Sequence, residues 1–143
     1  MTISTQQIID RLNAQRIVES GAVAAVDELQ SAPKAISGFV TTPMCLVEVP
    51  SEIAKESDAG TGLTSNPTAI LIRIYLIFTG VITNADIERA RDTVKTALIG
   101  WTPDSANYDP VNPVGAIVLE QDMQTGFLNL LCTFSSHYTQ RTP

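Results

Sequence analysis

The chain has 143 residues, of which 44% are apolar and 17% charged. That length suits one domain with a core of its own, and the composition excludes an intrinsically disordered chain. Nine Lys and Arg against fifteen Asp and Glu leave a net charge of −6, which argues against nucleic acid as the main partner, because phosphate binding rests on Lys and Arg.

The imbalance is uneven. Residues 17–60 carry seven acids against Lys34 and Lys55, which reads as a solvated acidic face or as a surface for a basic partner. Cys45 and Cys132 have no Cys or His cluster beside them, so no metal site is expected. Both lie in apolar runs and read as buried, reduced thiols in preference to a disulfide. The opening residues lack the basic and apolar stretches of a signal peptide, which fits synthesis in a reducing cytoplasm. No apolar run reaches the roughly 18 residues a membrane span needs.

Ser4 and Gln7 match the two ends of a capping box, and Ile8, Ile9 and Leu12 form an apolar stripe behind them. A first helix over 5–15 is expected. Residues 16–19 read as a short strand or a turn, broken by Gly21. Val23, Val26 and Leu29 recur every third residue, which predicts a second helix over 22–30. Pro33 and Gly38 mark a loop. Residues 43–49 read as a strand closed by Pro50, followed by a long, flexible, polar loop over about 51–67. The β-branched run 69–78 is apolar on both sides apart from Arg73, so it should be a central strand covered on both faces. It can pair with 43–49 as a hairpin.

Thr83 and Asp86 fit a second capping box opening a helix over 84–99, with Ile87, Ala90, Val94, Ala97, Leu98 and Trp101 on one face. Asp86/Arg89, Glu88/Arg91 and Asp92/Lys95 are spaced as ion pairs on its outer face. Gly100 stands at the expected left-handed cap, and Pro103 prevents continuation. Residues 114–120 and 127–137 make a second hairpin across a turn at 122–126. The order α-α-β-β-α-β-β implies an α+β fold in one domain over 1–143. Its sheet is mostly antiparallel, four-stranded or slightly larger, with helices packed on it.

Catalytic chemistry finds little support. His137 is the single histidine, and no nucleophile motif accompanies it. Residues 58–62 are glycine-rich but lack the spacing and lysine of a phosphate loop. Glu52, Glu56 and Asp58 lack the spacing of a calcium loop. Trp101 reads either as the residue closing the helix face or as an interface anchor.

Four short features then stand together. Gly100-Trp101-Thr102-Pro103 ends the long helix, Asp109-Pro110 follows, a strand opens at Gly115-Ala116, and Phe134-Ser135-Ser136-His137-Tyr138 closes the last strand. In these features, about the last 60 residues of the chain resemble the small tail terminator (tail completion) proteins of long-tailed bacteriophages. The family pattern has a second glycine where this chain has Ala116. The resemblance implies a ring, typically a hexamer, that caps the head-proximal end of the tail tube, ends tube polymerisation and joins tail to neck. The implied partners are other copies of the chain, the tail tube protein, a neck or head-completion protein and, as a further contact, the tail sheath. The implied location is the virion. DNA would pass through the ring without specific binding, and no cofactor, metal, membrane or catalytic residue is implied. Glu52, Glu56, Asp58, Thr61 and Leu63 in the long loop, with Trp101 and Asp109 beside the motifs, are the candidate partner-interface residues. The alternatives are another neck or head-tail completion protein, or a small ligand-binding module or enzyme built around His137.

Overall fold

The computed structural model describes residues 4–29, 43–54, 67–80, 83–104, 108–122, 124 and 126–137, without the side chains of 49–54, 67 and 68. The elements are α1 (Thr5–Ala14), β1 (Ala25–Glu28), β2 (Met44–Ala54), β3 (Pro67–Phe78), α2 (Asn84–Leu98), β4 (Asn112–Asp122) and β5 (Phe127–His137). The strands form one five-stranded sheet in the order β1-β2-β3-β5-β4. All neighbours are antiparallel except β1 and β2.

Both capping boxes form. The Ser4 hydroxyl accepts from the Gln7 N–H at 3.2 Å, and Gln7 Oε1 accepts from the Ser4 N–H at 2.8 Å. At α2 the Thr83 hydroxyl accepts from the Asp86 N–H at 3.2 Å, and the Asp86 carboxylate accepts from the Thr83 N–H at 3.3 Å. Each box satisfies donors that a helix start otherwise leaves to water. Thr83→Ala is expected to cost about 1 kcal/mol, read as a lower urea midpoint with an unchanged slope.

The periodicity of β3 explains its central place. Ile70, Ile72, Ile74, Leu76 and Phe78 face the helices and are buried with Ile8 and Leu12 of α1 and with Ala90, Val94 and Leu98 of α2. The alternate residues Tyr75 and Ile77 are buried on the other face with Leu46. Both faces of β3 thus hold buried apolar residues, and its sequence predicts the central place it takes.

Two expectations fail. Residues 22–30 do not form a helix: residues 25–28 form β1, which runs parallel to β2 with Val26 opposite Cys45. The three-residue recurrence of Val23, Val26 and Leu29 is misleading, since Val23 and Val26 serve the helix-side core and Leu29 the other face. A nine-residue helix has little stability of its own, and the strand gains backbone partners from β2. The Ala24 N–H donates to Pro43 O at 2.7 Å, and the Leu29 N–H to Val47 O at 2.9 Å. The second correction is at Pro50, which does not close β2. The strand continues to Ala54, with a register shift between Glu48 and Ser51. Proline lacks a donor and is tolerated at a bulge or an open edge. Here the register shift supplies the bulge, and among the described residues β1 covers β2 only as far as Val47. Residues 51–54 of the expected loop belong to β2, and residues 55–66 lie outside the described residues, as do Pro33 and Gly38.

The cysteines are free and buried. Cys45 is opposite Leu76 and Cys132 opposite Ile74, so they flank β3 on different strands. Two strand spacings of about 4.8 Å separate their backbones, beyond the roughly 7 Å a disulfide spans. Burial pushes the Cys45 thiol up to about 12 from its ordinary 9.0, with Cys132 adding to the shift. Burial pushes Cys132 up to about 11, against the opposing pull of Arg91 and Lys95. Folded thiols thus keep protons that unfolded ones release above pH 9. Stability is accordingly full below pH 9 and falls as pH rises towards 11 and 12. Denaturant titrations from pH 7 to 11 check the slope. A thiol reagent at pH 8 should leave the native chain unlabelled and modify two thiols in denaturant.

Candidate assembly interface

Three of the four motifs meet: the Gly-Trp turn, the Asp-Pro loop and the end of β5. Ile99 is extended, and Gly100 adopts φ +82°, turning the chain back from α2. The Gly100 N–H donates to Val111 O at 3.0 Å, and the Val111 N–H returns to Trp101 O at 2.9 Å. The Asp109 N–H donates to His137 O at 2.8 Å, and Asp109 O accepts from the Ser136 hydroxyl at 2.8 Å. The Gly-Trp turn, the Asp-Pro loop and the end of β5 are therefore tied by their backbones. These short motifs make a structural joint.

Trp101 is half-buried and packs against the helix-side core. The Arg11 guanidinium lies 5.6 Å from its ring centroid, and Arg11 Nε donates to Ala97 O at 2.9 Å. The side chain thus closes the α2 face, and Arg11 ties α1 to it. Asp109 is half-buried in the joint. The side chain of Glu52 is outside the described residues, and its backbone lies in β2 opposite Ile70. Glu56, Asp58, Thr61 and Leu63 lie outside the described residues altogether. His137 is exposed at the end of β5. Among the described residues no three His, Cys, Asp or Glu side chains converge, and no helix is long and apolar enough to cross a membrane.

The sequence places a strand over 114–120, seen as β4, but not its exposure. Every one of its residues is exposed. Val114 is 59% exposed, Ile117 60%, Val118 48% and Leu119 47%. Its apolar run reads like a covered strand, yet it is the last strand of the sheet, bonded to β5 on one side. Ile117 pairs with Leu131 and Val118 with Leu130, so the exposed side chains lie on both faces. A long apolar edge is a template for another chain unless something covers it.

Beside β4 lies a cleft of about 230 Å³ between α2 and the β4–β5 hairpin, lined by Arg91, Lys95, Pro113, Ala116, Cys132 and Phe134 among others. The expected outer-face ion pairs of α2 are absent among the described residues. The Asp86 carboxylate caps the helix, Arg89 donates to Ser20 O, and Arg91 and Lys95 reach over the sheet edge. Arg91 Nε is shielded from solvent and has no hydrogen-bond partner. On the opposite sheet face, Arg73 Nη1 meets Glu48 Oε1 at 3.2 Å. The Tyr75 hydroxyl donates to Glu48 Oε2 at 3.4 Å. Burial and the Glu48 charge push the Tyr75 phenol up.

No family model matches the sequence, and no curated protein is similar to it in sequence. Among solved structures, the chain is similar to one from the virion of the native gene transfer agent particle. The identity is 13% and the TM-score 0.61, over 92% of this chain and 90% of that one. It is also similar to the gp17 protein of bacteriophage SPP1, with 15% identity and a TM-score of 0.52 over 96% of this chain and 90% of that one. What the three chains share is a fold, α+β with a mostly antiparallel sheet, and it is the fold class the sequence predicts.

Proposed function

We propose that this chain is a structural, non-enzymatic virion protein of the tail or neck of a phage-like particle, and within that class a tail terminator. Copies assemble into a six-fold ring on the head-proximal end of the tail tube, stop tube growth and present a surface to the neck. The single observation that carries the reading is β4, an eleven-residue edge strand whose apolar stretch Pro113–Leu119 is left exposed on a fold shared with a virion chain. Such an edge is stable in solution only when covered, and a ring of identical subunits covers it with the next copy. The joint around Gly100, Trp101 and Asp109 supports the reading from the sequence side, since the resemblance to tail terminators rests on those residues. The tube and neck contacts are assigned to Trp101, Asp109, Glu52 of β2, Glu56, Asp58, Thr61 and Leu63. The localisation that follows is the virion, with DNA passing through the ring.

The test is native mass of the purified chain, with and without tail tubes. A closed particle of about 92 kDa, six times the 15.4 kDa chain, or a ring found on tube ends that halts their growth, is the expected result. A chain that stays at 15.4 kDa and leaves tube growth unchanged overturns the reading. A ring found against the connector and not on the tube would reassign it to the neck.

A further inference from the structure

Resting on the ring reading, we propose that neighbouring copies join sheet edge to sheet edge: β4 of one copy meets the β1 edge of the next, whose Glu28 seats at the Arg91–Lys95 cleft.

A ring of identical subunits needs two different, complementary surfaces on each chain. The sheet order puts β1 and β4 at its opposite ends, each bonded to a strand on one side. The two ends differ in chemistry. The β4 end is apolar over Pro113–Leu119, with Arg91 and Lys95 beside Pro113 and Ala116, while its two acids, Glu120 and Asp122, stand at the strand's far end. The β1 end is acidic: Asp27 and Glu28 are exposed, and neither forms an ion pair among the described residues. A basic cleft beside one edge and acids on the other attract head to tail.

The register selects Glu28. Glu28 is opposite Val47, which faces the helices. Asp27 is opposite Leu46, which faces away. A sheet continued across an interface keeps its two faces, because side chains alternate strictly along every strand. Glu28 therefore arrives on the side where α2 carries Arg91 and Lys95. The cleft there has an apolar floor and two cations. A carboxylate arriving there meets both cations, and charge-assisted hydrogen bonds of this kind are the stronger ones.

The experiment uses two charge-reversed full-length variants, Arg91→Glu/Lys95→Glu and Asp27→Lys/Glu28→Lys. Association is read by sedimentation and native mass in solution, and by retention on tube ends. Each variant alone is expected to associate at least about tenfold more weakly than the parent chain. An equimolar mixture is expected to regain the parent's association. In an alternating ring every cleft of one variant faces a matching edge of the other. Loss through misfolding would not be regained by mixing, and the melting curve of each variant reports it independently. Association unchanged in both variants, or lost and not regained by mixing, overturns this contact while the ring reading stands. A parent chain that neither self-associates nor binds tube ends overturns both.

Discussion

Replacing Ile117 and Val118 together by lysine is expected to abolish self-association while leaving the folded chain intact. The two positions are neighbours on β4 and point to opposite faces, Ile117 with Leu131 and Val118 with Leu130. At 60% and 48% exposure they contribute little to the core. Surface changes away from the core usually move stability by less than about 0.5 kcal/mol each, so the pair should move the melting temperature by about 4 °C or less. Their effect on a covered interface is of a different order. Each lysine places a charge where an apolar contact is needed, and the loss in affinity should be about a hundredfold or more. Edge lysines are also the device by which natural sheets prevent strand addition. Sedimentation and thermal melting on the same sample separate the two quantities. A variant that assembles like the parent chain would remove β4 from the interface. One that unfolds would show that β4 carries more of the fold than its exposure indicates.

Gly126→Ala is expected to be among the most destabilising single changes outside the core, at about 3 kcal/mol. Gly126 has φ +70°, and a Cβ there would run into the backbone oxygen and carbon of Gly80. Gly80 follows the end of β3 and itself has φ +88°. The two glycines let the turns at the ends of β3 and β5 stack, just past the Phe78–Leu128 pair. The obstacle is main chain, which cannot rotate away as a side chain would. Against a total stability of roughly 5–15 kcal/mol, that loss is large. Gly100 supplies the control. It has φ +82° with open space around its Cα, so Gly100→Ala should cost only the left-handed penalty, about 1 kcal/mol. Urea midpoints of the two variants give the comparison. Equal losses would sink the argument from crowding and leave the dihedral as the whole effect.

Much of the fold is legible in the residues because it rests on local physics. The two capping boxes place α1 and α2, since a hydroxyl and a carboxyl or amide three residues apart satisfy the same orphan donors wherever the helix packs. The two-sided apolar run of β3 announces a central strand. Gly100 announces a left-handed turn that other residues resist. These features need nothing from distant parts of the chain. The misreadings fall where pairing decides. Val23, Val26 and Leu29 fit a helix as well as a strand, and the choice was made by the open edge of β2. Pro50 looks like a stop signal and is absorbed as a bulge, because β1 ends before it. The charges of α2 look like an outer face laced by i,i+3 pairs, yet Arg91 and Lys95 turn to the sheet edge.

The assembly surface divides in the same way. By itself the sequence determined the class of the fold, the helix ends, the central strand and the short motifs now tied into one joint. Only the tertiary structure decided that β4 lies at the rim and β1 at the opposite rim. Whether an apolar strand is core or contact surface depends on what stands beside it in the sheet. That neighbour is chosen by non-local pairing, which the spacing of residues along the chain does not encode.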